Sequence, residues 1–490
     1  MRSPTIVGTV LFVAREFAVF FLIVLPIAWL LRQRPVAWKM FMLAASLFFY
    51  GWWRHGANNA DWSFLGTSWV PRYACYLLIF ALVNYLLGNL ADTAAAKFAV
   101  VAACVFDLGA LFYFKYFVWT ASTLNSMVGT NLQLDTIILP IGVSFIAFQG
   151  LGYVIDVSRG TTAPVDMLDF FTYLFFFPHV VAGPLVRVTE FVPQLHRRAD
   201  PRHVEATRAF TLIASGFVKK VIISWLIADW IVKPVFANPK GYGALDNIVA
   251  MYGFAIQIYC DFSGYTDIAI GLALLLGIQF PQNFNRPYRA LSIQDFWRRW
   301  HMTLSRWLRD YLYIGLGGNR RGETRMYVNL FLTMLIGGLW HGADWTFVIW
   351  GAIHGGALVI ERFLTGARPV PAGPGAVVRW FITFNVVCFG WVFFNAGLTG
   401  GGFSVAKDVL TQMVTGWGTP SRLVNGGVLL LIAVVLASQF VPEGLGRRLV
   451  RDLSAANPLT QTALIGVGLG ATMIACYHWG STADFIYFSF

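Results

Sequence analysis

Charge is what this sequence has least of. Only 12% of its 490 residues are charged, roughly half the density of a soluble domain. No polar block is long enough to fold as a soluble domain of its own, so an ordinary water-soluble architecture is excluded. Cysteine is scarce as well. The five thiols, Cys75, Cys104, Cys260, Cys388 and Cys476, all lie in apolar stretches without CxxC spacing, which argues against a disulfide framework and a zinc cluster alike. No internal repeat is visible, so the inverted halves of many secondary transporters are missing. Acidic residues (24) trail basic ones (36), for a net charge of +12. The basic residues lie mostly in short loops between apolar runs, which is the positive-inside pattern of a membrane protein and not a nucleic-acid patch.

What remains is strongly apolar. Hydrophobic residues make up 57% and aromatics 16%, with 43 Phe and 19 Trp, as lipid-facing and interfacial surfaces require. The chain reads as an all-α polytopic membrane protein. Apolar runs at 10–31, 38–53, 73–90, 97–119, 209–232, 246–260, 264–280, 326–341, 345–364, 377–396, 426–440 and 462–479 suit spanning helices. Two more, 137–155 and 169–186, carry Pro140, Gly142, Pro178, Gly183 and Pro184. Breakers in apolar sequence predict re-entrant half-helices lining a protected cavity, because unpaired backbone is not tolerated against lipid. The expectation is roughly 11 to 13 membrane segments. Residues 1–135, 136–365 and 366–490 read as N-terminal helices, core and C-terminal helices of one integrated domain. Arg15 and Glu16 break the first apolar run, which lacks a small-residue cleavage signature and reads as a retained span. The basic loops after the first span, at 187–208 and at 319–325 are expected to be cytoplasmic, and loop 54–72 to face outward.

Three stretches carry chemistry. In "LSIQDFWRRWHMTLSRWLRDYLYIGLGGNRRG" (291–322), Phe296, Trp300, Trp307 and Tyr311 form one stripe at 100° per residue, with Leu304 at its border. Arg298, Arg299, Arg306 and Arg309 fall opposite, and His301 lies near the boundary. This predicts an amphipathic helix at the cytoplasmic interface, anchored to anionic lipid or presenting its arginines to an anionic ligand. In "QIYCDFSGYTDIAIG" (257–271), Asp261, Ser263, Tyr265 and Asp267 form either a polar break satisfied by neighbouring helices or the wall of an internal site. Asp107 and Lys115 read as a structural pair or interfacial groups. Of eight histidines, His55, His196 and His203 sit in polar loops, and His179, His354 and His478 read as hydrogen-bonded membrane histidines. His341, in "GGLWHGADW" (337–345), differs because Gly337, Gly338 and Gly342 would let another group approach it. Residue physics alone leaves it open between a structural and a catalytic role. No histidine follows at i+4 and no carboxylate has metal-site spacing, so no metal is expected.

The segments "ILPIGVSFIAFQGLGYVIDVSRG" (138–160), "FFFPHVVAGPLVR" (175–187), "DFSGYTDIAIG" (261–271), "NFNRPYRALSIQDFWRRWHMTLSRWLRDYLYIGLGGNR" (283–320) and "GGLWHGADWTFVIWGAIHG" (337–355) resemble the membrane-bound O-acyltransferases. The likeness is strongest to the branch of alginate O-acetyltransferase membrane subunits and their relatives acting on peptidoglycan or cellulose. "FGWVFFNAG" (389–397) and the terminal "FIYFSF" fit the same branch. The resemblance implies helices around a central tunnel in a bacterial inner-membrane protein. It also implies that His341, in its WHG context, is catalytic, and that His301, in its FWRRWH context, is the second site position. An acetyl-CoA-like thioester donor from the cytoplasm would meet Arg298, Arg306, Arg309 and Arg320, whose forks suit phosphates. Asp295, Asp310 and Asn319 would orient groups nearby, beside Trp340. Asp261, Ser263, Tyr265, Asp267, Asp295 and Trp297 would line the tunnel. No bound cofactor is expected. The chain has no large soluble domain to grip a polysaccharide, so a periplasmic acyltransferase partner is implied. Two rivals stay open: D-alanyl or peptidoglycan acyl transfer by the same fold, and a transporter.

Overall fold

The computed structural model describes residues 12–52 except 14, 71–129, 142–180, 183–197, 200, 204–366, 373–457, and 459–470 apart from 462, 465 and 469. The expected outward loop 54–72 (up to residue 70), Pro140, and the segment from 471 with Cys476, His478 and "FIYFSF" lie outside the described residues, as do His55 and His203. All regular elements among the described residues are helical. Five helices are long and apolar enough, by length and composition, to cross a bilayer: Ala96–Val128, Ala206–Ala237, Ala244–Leu275, Trp345–Thr365 and Ala376–Leu398. Shorter apolar helices accompany them. The chain divides into two compact units, one of residues up to 213 with 265–281, the other of 214–264 with 282 onward.

In the first unit, α1 (Arg15–Leu31), α2 (Pro35–Trp52), α3 (Pro71–Ala91), α4 (Ala96–Leu111), α5 (Phe117–Val128) and α6 (Val143–Ser158) are followed by short pieces. These are α7 (Met167–Phe175), α8 (Phe177–Val180) and α9 (Val188–Leu195), so the proline-bearing stretch is indeed broken. α3, α4 and α6 pack together, and Gly150 makes room for Asn84, which would lie 2.7 Å from a Cβ there. Asn84 Nδ2 donates to Asp107 Oδ1 at 2.9 Å, giving a carboxyl at membrane depth a partner on the next helix. Lys39, at the start of α2, pairs with buried Asp169 of α7, whose second oxygen lies 2.7 Å from His196 Nε2. Phe12, Phe17, Phe20, Phe49 and Phe177 fill the space between these helices.

The second unit holds the histidine-rich segments. After α10 (Ala206–Phe217), the chain continues through widened π-type turns at Val218–Ile223 and Ala228–Val232 that flank α11 (Ser224–Ile227), and reaches α12 (Lys233–Ala237). α13 (Ala244–Leu275) is 89% buried over its apolar window, against 22% for Ala96–Val128. It is therefore a core helix and not a lipid-facing one. α14 (Ile293–Arg299), α15 (Met302–Trp307), α16 (Glu323–His341), α17 (Trp345–Thr365), α18 (Ala376–Leu398), α19 (Gly402–Thr415), α20 (Gly426–Ser438) and α21 (Glu443–Ala455) follow. Two carboxylates, buried Asp246 and half-buried Glu361, tie distant segments together. Asp246 accepts from Ser421 Oγ at 2.6 Å and from the Arg422 and Leu423 amides at 3.0 Å each. Glu361 of α17 accepts from the Ile293 and Gln294 amides at 2.5 and 3.2 Å, capping α14 from outside its own sequence.

The continuous helix expected over 291–322 does not form. It breaks at Trp300–His301, where His301 adopts φ 41°, ψ 54°, and ends in a widened turn at Leu308–Tyr313. The aromatic stripe holds in outline: Phe296, Trp300, Leu304, Trp307 and Tyr311 are all buried. They pack on protein, however, and not into an interfacial lipid layer. Trp300 lies 5.0 Å from Trp391 of α18, and Phe296 lies 6.1 Å from His354 of α17.

Lys220, in the first widened turn, makes a buried ion pair with Asp261 of α13. α13 comes this close because Gly264 has no Cβ, which would sit 2.7 Å from the Gly216 carbonyl oxygen. Lys220→Met alone should therefore lower stability by about 3–5 kcal/mol, because it removes the ammonium paired with Asp261, while Lys220→Met with Asp261→Leu should recover most of it. Thermal unfolding of the purified protein in detergent measures both, and a single variant as stable as the double would refute the pairing's role.

Candidate active site

His341 is the last residue of α16, and the chain turns directly into α17. Gly342 is extended, and Asp344 Oδ1 caps α17 by accepting from the Thr346 amide at 2.8 Å and the Thr346 hydroxyl at 2.7 Å. The hairpin is unusually tight. A Cβ on Gly338 would stand 2.3 Å from the Phe347 carbonyl oxygen, and one on Gly351 2.5 Å from that of Met334. A Cβ on Gly342 would strike the Phe347 ring at 2.2 Å. This corrects the expectation that Gly338 and Gly342 admit a visiting group: they admit α17, as small residues do at membrane helix interfaces. Gly337 faces Leu308 instead, at 3.2 Å from where its Cβ would be.

The close approach surrounds His341 with rings. The imidazole is 4% exposed, with Trp340 at 5.0 Å, Trp350 at 5.1 Å and nearly perpendicular, and Phe394 of α18 at 5.2 Å. Trp391 stacks on Trp350 at 5.8 Å and reaches Phe394 at 5.2 Å. Trp300, beside His301, leans on Trp391. A continuous run of aromatic rings thus joins the surroundings of the two candidate histidines. His301 itself is 1% exposed, edge-on to Phe262 at 4.7 Å, with Nδ1 3.2 Å from Asn283 Oδ1.

His354 joins this cluster although the sequence grouped it with ordinary membrane histidines. It lies 4.9 Å from Trp350, 5.2 Å from Trp297 and 6.3 Å from Trp391. It is fully buried, and neither ring nitrogen has a hydrogen-bond partner among the described residues. The signal was present: Trp350 and His354 are four apart on one helix and so share a face. Trp297, expected to line a tunnel, packs edge-on against both His354 and Trp350, 5.7 Å from the latter.

The other candidates are dispersed. Arg298, Asn319 and Arg320 are exposed, and Arg306 is half-buried. Arg309, also exposed, holds its neighbour Asp310 through Nε at 2.6 Å and a second nitrogen at 3.2 Å. Asp295 pairs with Arg299 at 2.8 Å. Asp261 is taken by Lys220, a partner missed in sequence although "VKKV" is the only basic break in its apolar run. Ser263 is buried on the same helix. Tyr265 belongs to the first unit and stacks on Phe12 at 4.7 Å, and the half-buried Asp267 lies in that unit too.

The sequence model of MBOAT, the membrane-bound O-acyltransferase family, matches residues 158–399, the range that contains His301, His341 and every ring around them. The chain is 42% identical over 374 residues to the probable alginate O-acetylase AlgI of Pseudomonas aeruginosa, covering 73% of this chain and 67% of that one. The chain belongs to the membrane-bound O-acyltransferase family. It is also 32% identical to the peptidoglycan O-acetyltransferase of Helicobacter pylori, over 74% of this chain and 72% of the relative. To the teichoic acid D-alanyltransferase of Bacillus subtilis it is 30% identical, over 52% and 68%. The protein is a membrane acyltransferase, and the all-helical fold expected from its apolar runs is the one found.

The hairpin glycine gives a direct test. Gly338→Ala forces a methyl onto the α17 backbone and should cost about 1–3 kcal/mol as overpacking, with a matching loss of acyl transfer. Gly356→Ala, on the same helix pair with open space around it, should be neutral or stabilising by about 0.5–1 kcal/mol. Thermal unfolding and turnover of the two variants side by side check this.

Proposed function

We propose that this acyltransferase takes an acetyl group from a cytoplasmic thioester such as acetyl-CoA and passes it toward an extracytoplasmic polysaccharide, alginate or a similar exopolymer. The observation that carries this reading is His341, enclosed by Trp340, Trp350 and Phe394 at the tip of a helical hairpin, inside the segment shared with relatives named as alginate O-acetylases. Identity falls from 42% to 32% and 30% for the relatives named for peptidoglycan and teichoic acid, which favours the exopolysaccharide reading over D-alanyl transfer.

In this mechanism the His341 imidazole is the general base on an acceptor hydroxyl, or the nucleophile that briefly carries the acyl group. As a base, it takes the hydroxyl proton while the oxygen bonds the acyl carbon, the C–S bond breaks, and the proton passes on to the leaving thiolate. The water-poor aromatic enclosure keeps the thioester from hydrolysis. The exposed Arg298, Arg309 and Arg320 with Arg306 receive the donor's phosphates. A periplasmic acyltransferase completes delivery to the polymer, and the chain resides in the bacterial inner membrane.

His341→Ala should reduce acetyl transfer by about 100-fold or more, the worth of a general base, with normal membrane insertion. Wild-type acetylation by that variant in cells lacking paralogues would sink the assignment. Arg298→Glu with Arg306→Glu should raise the KM for acetyl-CoA about 10-fold or more, as loss of charge-assisted contacts implies. An unchanged donor dependence would return these arginines to lipid anchoring. Preference for a carrier-protein thioester over acetyl-CoA would favour D-alanyl transfer instead.

A further inference from the structure

We infer that Asn283 is a positioning residue for His301, fixing the neutral ring as the Nδ1–H tautomer so that Nε2 faces the substrate as a hydrogen-bond acceptor. That a substrate meets His301 rests on the proposed acyl transfer, whereas the tautomer rests on the hydrogen-bond geometry alone.

Asn283 lies in the extended segment after α13 and is fully buried. Its Oδ1 is 3.1 Å from the Thr303 amide nitrogen, 2.8 Å from the Thr303 hydroxyl and 3.2 Å from His301 Nδ1. A backbone amide can only donate, so the atom facing it must be the carbonyl oxygen of the side chain and not its NH₂. That settles the orientation of the amide without reference to the histidine. An amide oxygen can only accept, so the hydrogen between Oδ1 and His301 belongs to Nδ1. A neutral imidazole carries one N–H, and Nε2 is left with the in-plane lone pair.

The backbone holds this arrangement in register. Asn283 O accepts from the Met302 amide at 2.8 Å, and the Asn285 amide donates to Arg299 O at 2.9 Å. The clasp explains the break at His301. A non-glycine residue at φ 41° is strained, and its own side chain does not cap α15. Asn283 Oδ1 takes that capping role from eighteen residues upstream, which frees the imidazole from the helix it precedes. The Asn283 NH₂ is buried with no partner among the described residues, so the side chain is held through Oδ1.

The consequence is specific. With Nε2 as acceptor, neutral His301 cannot donate a hydrogen bond to an acyl carbonyl through that atom. It accepts one from a substrate O–H or N–H, either the acceptor's hydroxyl or an amide on the arm of the thioester donor.

The test uses the full-length protein in lipid nanodiscs with ¹⁵N-labelled histidine, the His301 signals being identified by their loss in His301→Gln. The wild type should show Nδ1 protonated and Nε2 not. Asn283→Leu should give a mixture of tautomers and lower the transfer rate about 10-fold or more, as a wrongly oriented catalytic imidazole does. Asn283→Asp, which keeps an acceptor, should restore the Nδ1–H signature and much of the rate. Thr303→Val, which removes only the hydroxyl donor, should leave both near wild type. A rise in KM for the thioester in Asn283→Leu identifies the donor's amide as the partner, and a fall in kcat alone identifies the acceptor's hydroxyl. A wild-type spectrum with Nε2 protonated overturns the assignment, as does Asn283→Leu turning over at the wild-type rate. The spectrum needs no substrate, so a wild type that fails to use acetyl-CoA counts against the proposed donor and leaves the tautomer to be decided by the spectrum.

Discussion

Two helix backbones in contact need glycine where they meet, and α16 and α17 meet at Gly338 and Gly351. Most of the site follows from that contact. With the helices this close, the end of α16 lies beside the first turns of α17, and His341 has Trp350 as a wall and not as a distant neighbour. Trp350 in turn fixes what can lie beyond it: His354 one turn along the same face, and Trp391 and Phe394 from α18. A methyl group added at either glycine would push the hairpin apart and dissolve the enclosure. The site is thus held by packing, because close-packed apolar surfaces have few ways to rearrange.

The polar groups of the interior fall into two kinds. Asp107, Asp169 and Asp261 each have a partner from another helix: Asn84, Lys39 with His196, and Lys220. Asp169 and Asp261 have a countercharge and Asp107 a hydrogen-bonding amide, as buried carboxyl groups require, so these groups read as structure. The aromatic cluster is different. His354 and the indole nitrogens of Trp297 and Trp350 are neutral donors or acceptors with no partner among the described residues. Leaving such groups unsatisfied costs roughly 1–3 kcal/mol each, which makes a polar visitor welcome there. Part of the fold's unmet hydrogen-bonding capacity therefore lies in the ring cluster around His341.

How much of this could be read from sequence depended on the distance over which each residue is constrained. Periodicity placed Phe296, Trp300, Trp307 and Tyr311 on one stripe with Leu304 at its border, and all five are buried, although in protein and across a helix break that the pattern did not show. It missed the break at His301, because the cause is Asn283, whose side chain does work that a local N-cap residue usually does. It misread Gly338 and Gly342, since a glycine states only that something comes near, and here that something is α17. It missed Lys220 as the partner of Asp261, which chain separation hides. It assigned His354 a bland role because no property of a lone histidine in "WGAIHGG" shows which rings will surround it. The roles of His301 and His341 came from resemblance to a family. The structure adds the surroundings in which such roles would operate.

Those surroundings bear on how two candidate histidines on different segments are held. His301 is held by a clasp from an extended strand of chain, and His341 by a helix end, so neither is anchored by the other. Trp300, Trp391 and Trp350 connect them. Large rings packed on both sides have few alternative rotamers, and α14, which precedes Trp300, is pinned to α17 by Glu361. The relative placement of the two imidazoles is therefore inherited from helix packing before any substrate arrives. Acyl transfer benefits from such order, since donors and acceptors already in place need no reorganisation as charge develops.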